Sequence, residues 1–377
     1  MSQRLNINAD MITWAITRAG HDLQFFLADN EKINAWIEKT KLPTVKQLEE
    51  FAKKVHIPFG YLFLQKPPKE EVPIPFFRTG LGKQSKISLN VFDTVLIVQR
   101  RQEWLSNYLK ENGAEPLCFV GKFTVKSSYL DVVADMRKEL GLNENWAFQF
   151  QTWEKSLEHL TQVIEDKGII LNFNGVVGNN TRRPIAVKEC RGFVMVDDYA
   201  PFLFVNSADA KAAQMFTIVH ELAHIWLGES AGFDFKQMQA ADDPIEKLCD
   251  QIAAEFLVAE DELLKEWQHT TDFKKLAKHF KVSPIVIGRR VLDIGLITRN
   301  EFFSFYNAYI ANANHKKENQ TSGGSFYNTA KKRISLTFAA HVNNAVKTNT
   351  LLFKDAFKLT GLKGDTYSKF LSEHHMN

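Results

Sequence analysis

The segment Thr217-Ile-Val-His-Glu-Leu-Ala-His224 holds two histidines four residues apart with a glutamate directly after the first, and this spacing constrains the chain more than any other feature. On an α-helix residues i and i+4 share a face, so both imidazoles can reach one point from a rigid support. Glu221 is then placed to lean over a water held at that point and take its proton. Two imidazoles leave a tetrahedral zinc short of one protein ligand, with the fourth position open to water. The surroundings predict a helix. Ala212, Met215, Phe216, Val219, Ala223 and Trp226 recur at helical spacing, and Gly228 ends the run. Ser207 is the expected N-cap, with Asp209 in the first turn. Ile218, Leu222 and Ile225 extend the apolar surface around the motif, which marks the helix as buried. Surface histidines do not fit such a helix, and core histidines leave the carboxylate between them unexplained.

A third ligand is expected from a second helix. The run Pro244-Ile-Glu246-Lys-Leu-Cys-Asp250-Gln-Ile-Ala-Ala-Glu255-Phe-Leu257 is apolar at helical spacing, with Pro244 in the first turn and Asp243 or Asp242 as cap. Glu246 and Asp250 lie one turn apart on one face. Glu246 is therefore the expected metal-binding carboxylate, and Asp250 the acceptor that orients a ligand imidazole. Glu255 reads as a solvated residue further along.

These two segments resemble the signature of the ImmA/IrrE family of zinc metallo-endopeptidases. Its Phe-Thr-x-x-His-Glu-x-x-His is matched by Phe216–His224, and its Glu-x-x-x-(Asn/Asp)-x-x-Ala by Glu246–Ala253. Asp250 stands where Asn is usual, and Ala259 where Pro often follows; neither change removes a ligand. The resemblance implies an α+β, mostly helical fold with a zincin-like core, in which a small sheet packs on the two ligand-bearing helices. It implies Zn²⁺ held by His220, His224 and Glu246, with Glu221 as general base. It also implies a regulatory substrate, a repressor or antitoxin encoded nearby, cleaved in a stress or mobile-element response.

The rest of the chain reads as modules. Residues 1–68 form short helices that resemble an XRE-like helix-turn-helix module, through Trp14-Ala15, Trp36-Ile37-Glu38, Leu42-Pro43-Thr44 and Pro58…Phe63. Nine Lys and Arg against seven Asp and Glu over residues 1–66 make too weak a field to argue DNA binding. Residues 69–127 are a Pro- and Gly-rich connector followed by a helix. The peptidase core is expected at 128–312, with a three-stranded sheet from 168–173, 192–196 and 200–206. A helix-turn-helix-like segment at 270–312 places Arg289 and Arg290 as contacts for nucleic acid or a partner, against the plainer reading of helices that brace the core. Residues 313–325 read as a polar linker, and 326–377 as a basic helical appendage with helices over Phe326–Thr348 and Leu351–Leu359, its face solvated or docking a partner. His374 and His375 are expected to be disordered.

Composition sets outer limits. Net charge is +3, which advertises no nucleic-acid partner. Three scattered cysteines, Cys118, Cys190 and Cys249, read as reduced and mostly buried. No apolar run approaches the roughly 18 residues of a membrane span, and the start of the chain lacks a signal-peptide pattern; a cytoplasmic protein with no membrane partner is expected. Tyr199 and His279 are weaker candidates for steadying an oxyanion. The rival functional class is a non-catalytic regulator, binding DNA or a repressor around a structural zinc site.

Overall fold

A computed structural model of the chain describes residues 4–69, 76–78, 87–234, 243–316 and 326–376. It divides into two compact units, Met1–Pro73 with Ser85–Asp93, and Ile74–Gln84 with Thr94–Asn377.

In the first unit side-chain caps set the helix starts. Asn8 and Asp22 accept from backbone amides at the heads of Ala9–Arg18 and Leu23–Ala28, and Thr44 with Gln47 forms a reciprocal capping box on Val45–Lys54. Glu31–Ile37 and one 3₁₀ stretch, Phe59–Phe63, complete the unit. Its core gathers Ile12, Ile16, Trp36, Leu48, Phe51 and Leu62, with Trp36 edge-on to Phe51 at 6.0 Å.

The second unit is built around a five-stranded mixed sheet, in the order Phe76–Arg78, Ala231–Asp234, Gly192–Met195, Phe202–Val205, Ile170–Phe173. The three expected strands are present and adjacent. The two further strands are not evident from sequence, because each is only three or four residues long and they pair with each other across more than 150 positions, Phe76 with Gly232 in parallel, while the second also pairs with Gly192–Val194. A short hairpin, Val176–Val177 against Asn180–Pro184, stands apart from this sheet.

Alternation along the strands sorts their side chains into two layers. Leu171, Phe173, Val194, Leu203 and Val205 join the core of the helix Lys211–Leu227. Phe193 and Phe204 stack on the opposite face at 4.7 Å, and there Phe202 meets Phe338 of the C-terminal helices at 5.6 Å. Trp104 of the long helix Leu89–Glu111 closes on the same Phe338 ring at 5.7 Å. The sheet is thus a middle layer between the histidine-bearing helix and the C-terminal helices.

The C-terminal segment departs from a solvated appendage. Ile334, Phe338, Val342 and Phe370 are buried. Arg101, itself buried, ties the segment down: Nε donates to Leu359 O at 2.8 Å, and Nη1 to Asn172 Oδ1 at 2.8 Å and Arg333 O at 2.9 Å. The single helix expected over 326–348 breaks into Phe326–Ile334 and Leu336–Lys347. Ser335 takes φ +67° there and its hydroxyl caps Phe338 N. A further helix, Asp365–Glu373, follows Phe353–Thr360. His374 and His375 are ordered beyond it, His374 lying on the Phe370 ring at 4.8 Å. Helix Arg299–Lys316 runs into the expected linker, whose residues 317–325 lie outside the described residues. Cys190 and Cys249 are buried, and Cys118 is exposed. Among the described residues no helix is long and apolar enough to cross a membrane.

Candidate metal centre

The helix Lys211–Leu227 is held at both ends by bonds that fix where its histidines stand. Its start lies four residues later than the Ser207 cap expected from sequence: Ala210 is the N-cap and gives no side-chain bond. Gln214, fully buried, ties the preceding loop to the helix, donating to Asp209 O at 2.7 Å and Ser207 O at 3.2 Å. Asp209 turns away to Arg191 at 3.3 Å. At the other end Gly228 adopts φ +75° and closes a left-handed cap, so that Glu229 N bonds His224 O at 3.0 Å. The strip around Phe119 covers this end. Gly121 N bonds Ile225 O at 2.9 Å, Phe123 N bonds Trp226 O at 3.0 Å, and Phe119 stacks on Trp226 at 4.5 Å.

The helix Pro244–Leu257 packs alongside. Asp243 caps it through Ile245 N at 2.8 Å, with Pro244 in the first turn. One turn in, Glu246 is inserted between the two imidazoles. Its Oε2 lies 3.2 Å from His220 Nε2, and its Oε1 lies 3.2 Å from His224 Nε2. The ligand atoms of His220, His224 and Glu246 lie within 4.8 Å of one another, on three buried residues. Asp250 Oδ1 stands 3.0 Å from His220 Nδ1. If Nε2 keeps its lone pair toward the shared point, Nδ1 carries the hydrogen and donates it to Asp250.

Electrostatics sharpen the picture. Burial opposes a charge on His220, but hydrogen bonds to Asp250 and Glu246 outweigh it and raise the imidazolium pKa above its ordinary value. Burial likewise opposes the Glu246 charge, yet the two imidazoles beside it hold the carboxyl below the usual carboxylate range. His224 is pushed down by burial, which favours the neutral imidazole a metal needs. Glu221 is wholly buried, and burial pushes its pKa well above that of an exposed glutamate.

The donor set fits a zinc ion. His224 Nε2 and Glu246 Oε1 face each other without hydrogen-bond geometry, and neither Glu221 oxygen has a partner among the described residues, so these buried polar atoms are left unsatisfied. Leaving such atoms unpaired costs about 1–3 kcal/mol each. Two ligands about 2.1 Å from one tetrahedral ion stand about 3.4 Å apart, close to the 3.2 Å separations here.

Gly192, read from sequence only as a strand boundary, is the neighbour the motif did not reveal. A Cβ there would sit 2.5 Å from Thr217 Cγ2, 2.9 Å from Phe204 O and 3.3 Å from Glu221 Oε1. Only glycine lets the strand lie this close to the helix and leaves the Glu221 carboxylate room.

Other expected residues lie elsewhere. Arg290 is buried rather than offered to a partner: it is ion-paired with Glu255, and its Nε donates to Val258 O at 3.1 Å. Glu255 is correspondingly buried, not solvated. Arg289 is engaged along its own helix with Asp293 at 2.9 Å. Tyr199 follows the far end of strand Gly192–Met195 from Glu221, under Lys110 at 4.8 Å. His279 rests on Phe148, ring centroids 3.8 Å apart.

Residues 168–292 match the family model described as the IrrE N-terminal-like domain, a peptidase family. Residues 334–373 match a second model, described only as a domain of unknown function. No curated protein matches the chain.

Proposed function

We infer, for a chain whose residues 168–292 are a peptidase domain of the ImmA/IrrE family, that it is a zinc-dependent endopeptidase acting on a specific regulatory protein. The observation that carries this reading is Glu221: a fully buried carboxylate with neither oxygen bonded among the described residues, one residue from a His–His–Glu cluster. Bound zinc supplies Lewis acidity, which brings the pKa of a water toward neutrality. His220, His224 and Glu246 would hold the ion, and Asp250 would keep the His220 ring turned toward it. Glu221 takes the proton from the attacking water at one carboxylate oxygen and delivers it to the leaving amine.

A purely structural metal site has no use for such a base, so the non-catalytic regulator is the weaker reading. The resemblance to that family supports a repressor or antitoxin as the substrate, recognised by surfaces away from the cut. Comparing new protein N-termini in cells that express the wild type or Glu221→Gln tests the proposal. Termini seen with the wild type and reduced about 10²–10⁴-fold in the variant are expected. Identical sets of termini, with metal retained in both proteins, would overturn it.

A further inference from the structure

Positive charge is gathered in one part of this chain. Stretches 176–188 and 326–376 hold eleven Lys and Arg against three Asp and Glu, a surplus of eight in a chain of net charge +3, so the remainder carries a deficit of five. The fold brings these two stretches together. At the hairpin turn, Asn179 Nδ2 donates to Gly361 O at 3.1 Å, and Asn179 Oδ1 accepts from Arg333 Nη1 at 3.4 Å. Arg182 projects from the hairpin strand beside this junction, Lys332 precedes Arg333, and Lys363 follows Gly361; Arg182, Lys332 and Lys363 are exposed. Lys211, in the first turn of the histidine helix, lies near enough to Lys332 that, besides burial, repulsion from it lowers the Lys211 pKa, while Glu154 acts the other way. Of the acids in the C-terminal stretch, Asp355 is tied to Lys358 at 2.8 Å, and Asp365 opens the last helix.

The chemistry of the junction favours phosphate over a protein surface. A protein footprint is centred on apolar side chains. The exposed large hydrophobics of this unit, among the described residues, are Val125, Leu130, Leu264, Ile310, Leu352 and Phe353, and only the last two belong to either stretch. Leu352 and Phe353 stand at the opposite end of helix Phe353–Thr360, about 12 Å away at 1.5 Å per residue. What the junction does present is guanidinium, ammonium and the small polar side chains of Asn180 and Thr181, the donors that position a sugar–phosphate backbone.

We propose that the junction of the hairpin 176–184 with the C-terminal helices is a sequence-independent binding face for the phosphate backbone of duplex nucleic acid. It is separate from the helix-turn-helix-like segments and independent of the metal centre. It also gives the domain of unknown function at 334–373 a role.

The test is fluorescence anisotropy of the full chain with a labelled duplex of about 30 base pairs and arbitrary sequence, titrated across salt. Binding near 50 mM salt is expected, with log K falling against log salt at a slope of about −3 to −4, as about four phosphate contacts imply. Reversal in Arg182→Glu/Lys332→Glu/Lys363→Glu should raise Kd at least about tenfold and flatten the slope by about 2–3. Lys32→Glu/Lys39→Glu in the first unit should leave Kd within about twofold. Should the reversed protein melt early, the Gln triple variant decides, with an expected rise of at least about fivefold. No binding at low salt, binding that survives the triple substitution, or equal competition by polyglutamate at matched charge would overturn the proposal. The last result would assign the face to an acidic protein segment.

Discussion

Glu246 sits 3.2 Å from each imidazole and Asp250 3.0 Å from the outer nitrogen of His220, so one carboxylate is placed to share the ion and the other to aim a ligand. The two roles predict different losses. Asp250→Ala should weaken zinc affinity about 10–100-fold while the protein still folds, as competition with a chromophoric chelator would report; unchanged affinity would remove Asp250 from the account. The raised pKa of His220 adds a pH dependence with a definite sign. In the metal-free protein the ring holds a proton below that raised value, and zinc must displace it. Glu246 is shifted toward the ionised form and His224 toward the neutral one, the states zinc requires, so His220 is the ligand set against binding. Zinc affinity should therefore rise about tenfold per pH unit between roughly pH 6 and 8, with about one proton released per ion. Isothermal titration in buffers of different ionisation enthalpy measures this directly, and a pH-independent affinity with no proton release would contradict it.

At the scale of elements, the helix Pro244–Leu257 is anchored far from the site by an ion pair that the sequence concealed. Glu255 and Arg290 are both buried, and Arg137 Nη2 bonds Glu255 O at 2.9 Å. Arg290→Ala should destabilise the fold by about 3–5 kcal/mol, because it strands a buried carboxylate; denaturant unfolding checks this, and a loss below about 1 kcal/mol would mean the pair is solvated. The histidine helix, the glutamate helix and the three adjacent strands were legible because local pattern determines them: apolar spacing, an Asp243-Pro244 start, a Gly228 stop. What stayed hidden depended on distant partners. Arg290 looked like a surface cation until Glu255 met it, the strands at 76–78 and 231–234 exist only through each other and the sheet, and Gly192 gains meaning from Thr217 packed against it. The Ser207 cap failed because residues 207–210 stay outside the helix, their carbonyls at Ser207 and Asp209 held by the buried Gln214 amide.

For the second unit as a whole, the sheet is the common support. One face carries the metal helices and the other is covered by C-terminal helices fastened through Arg101, whose guanidinium is buried among three oxygen acceptors and shifted down to about 10 by burial. The proposed function depends on three side chains holding one ion. Metal analysis of the purified wild type beside Glu246→Ala tests it most directly, with melting curves to show that both are folded. About one zinc per chain in the wild type and about a tenth or less in the variant is the predicted result. A folded wild type that takes up no zinc, or a variant that keeps its full complement, would contradict it.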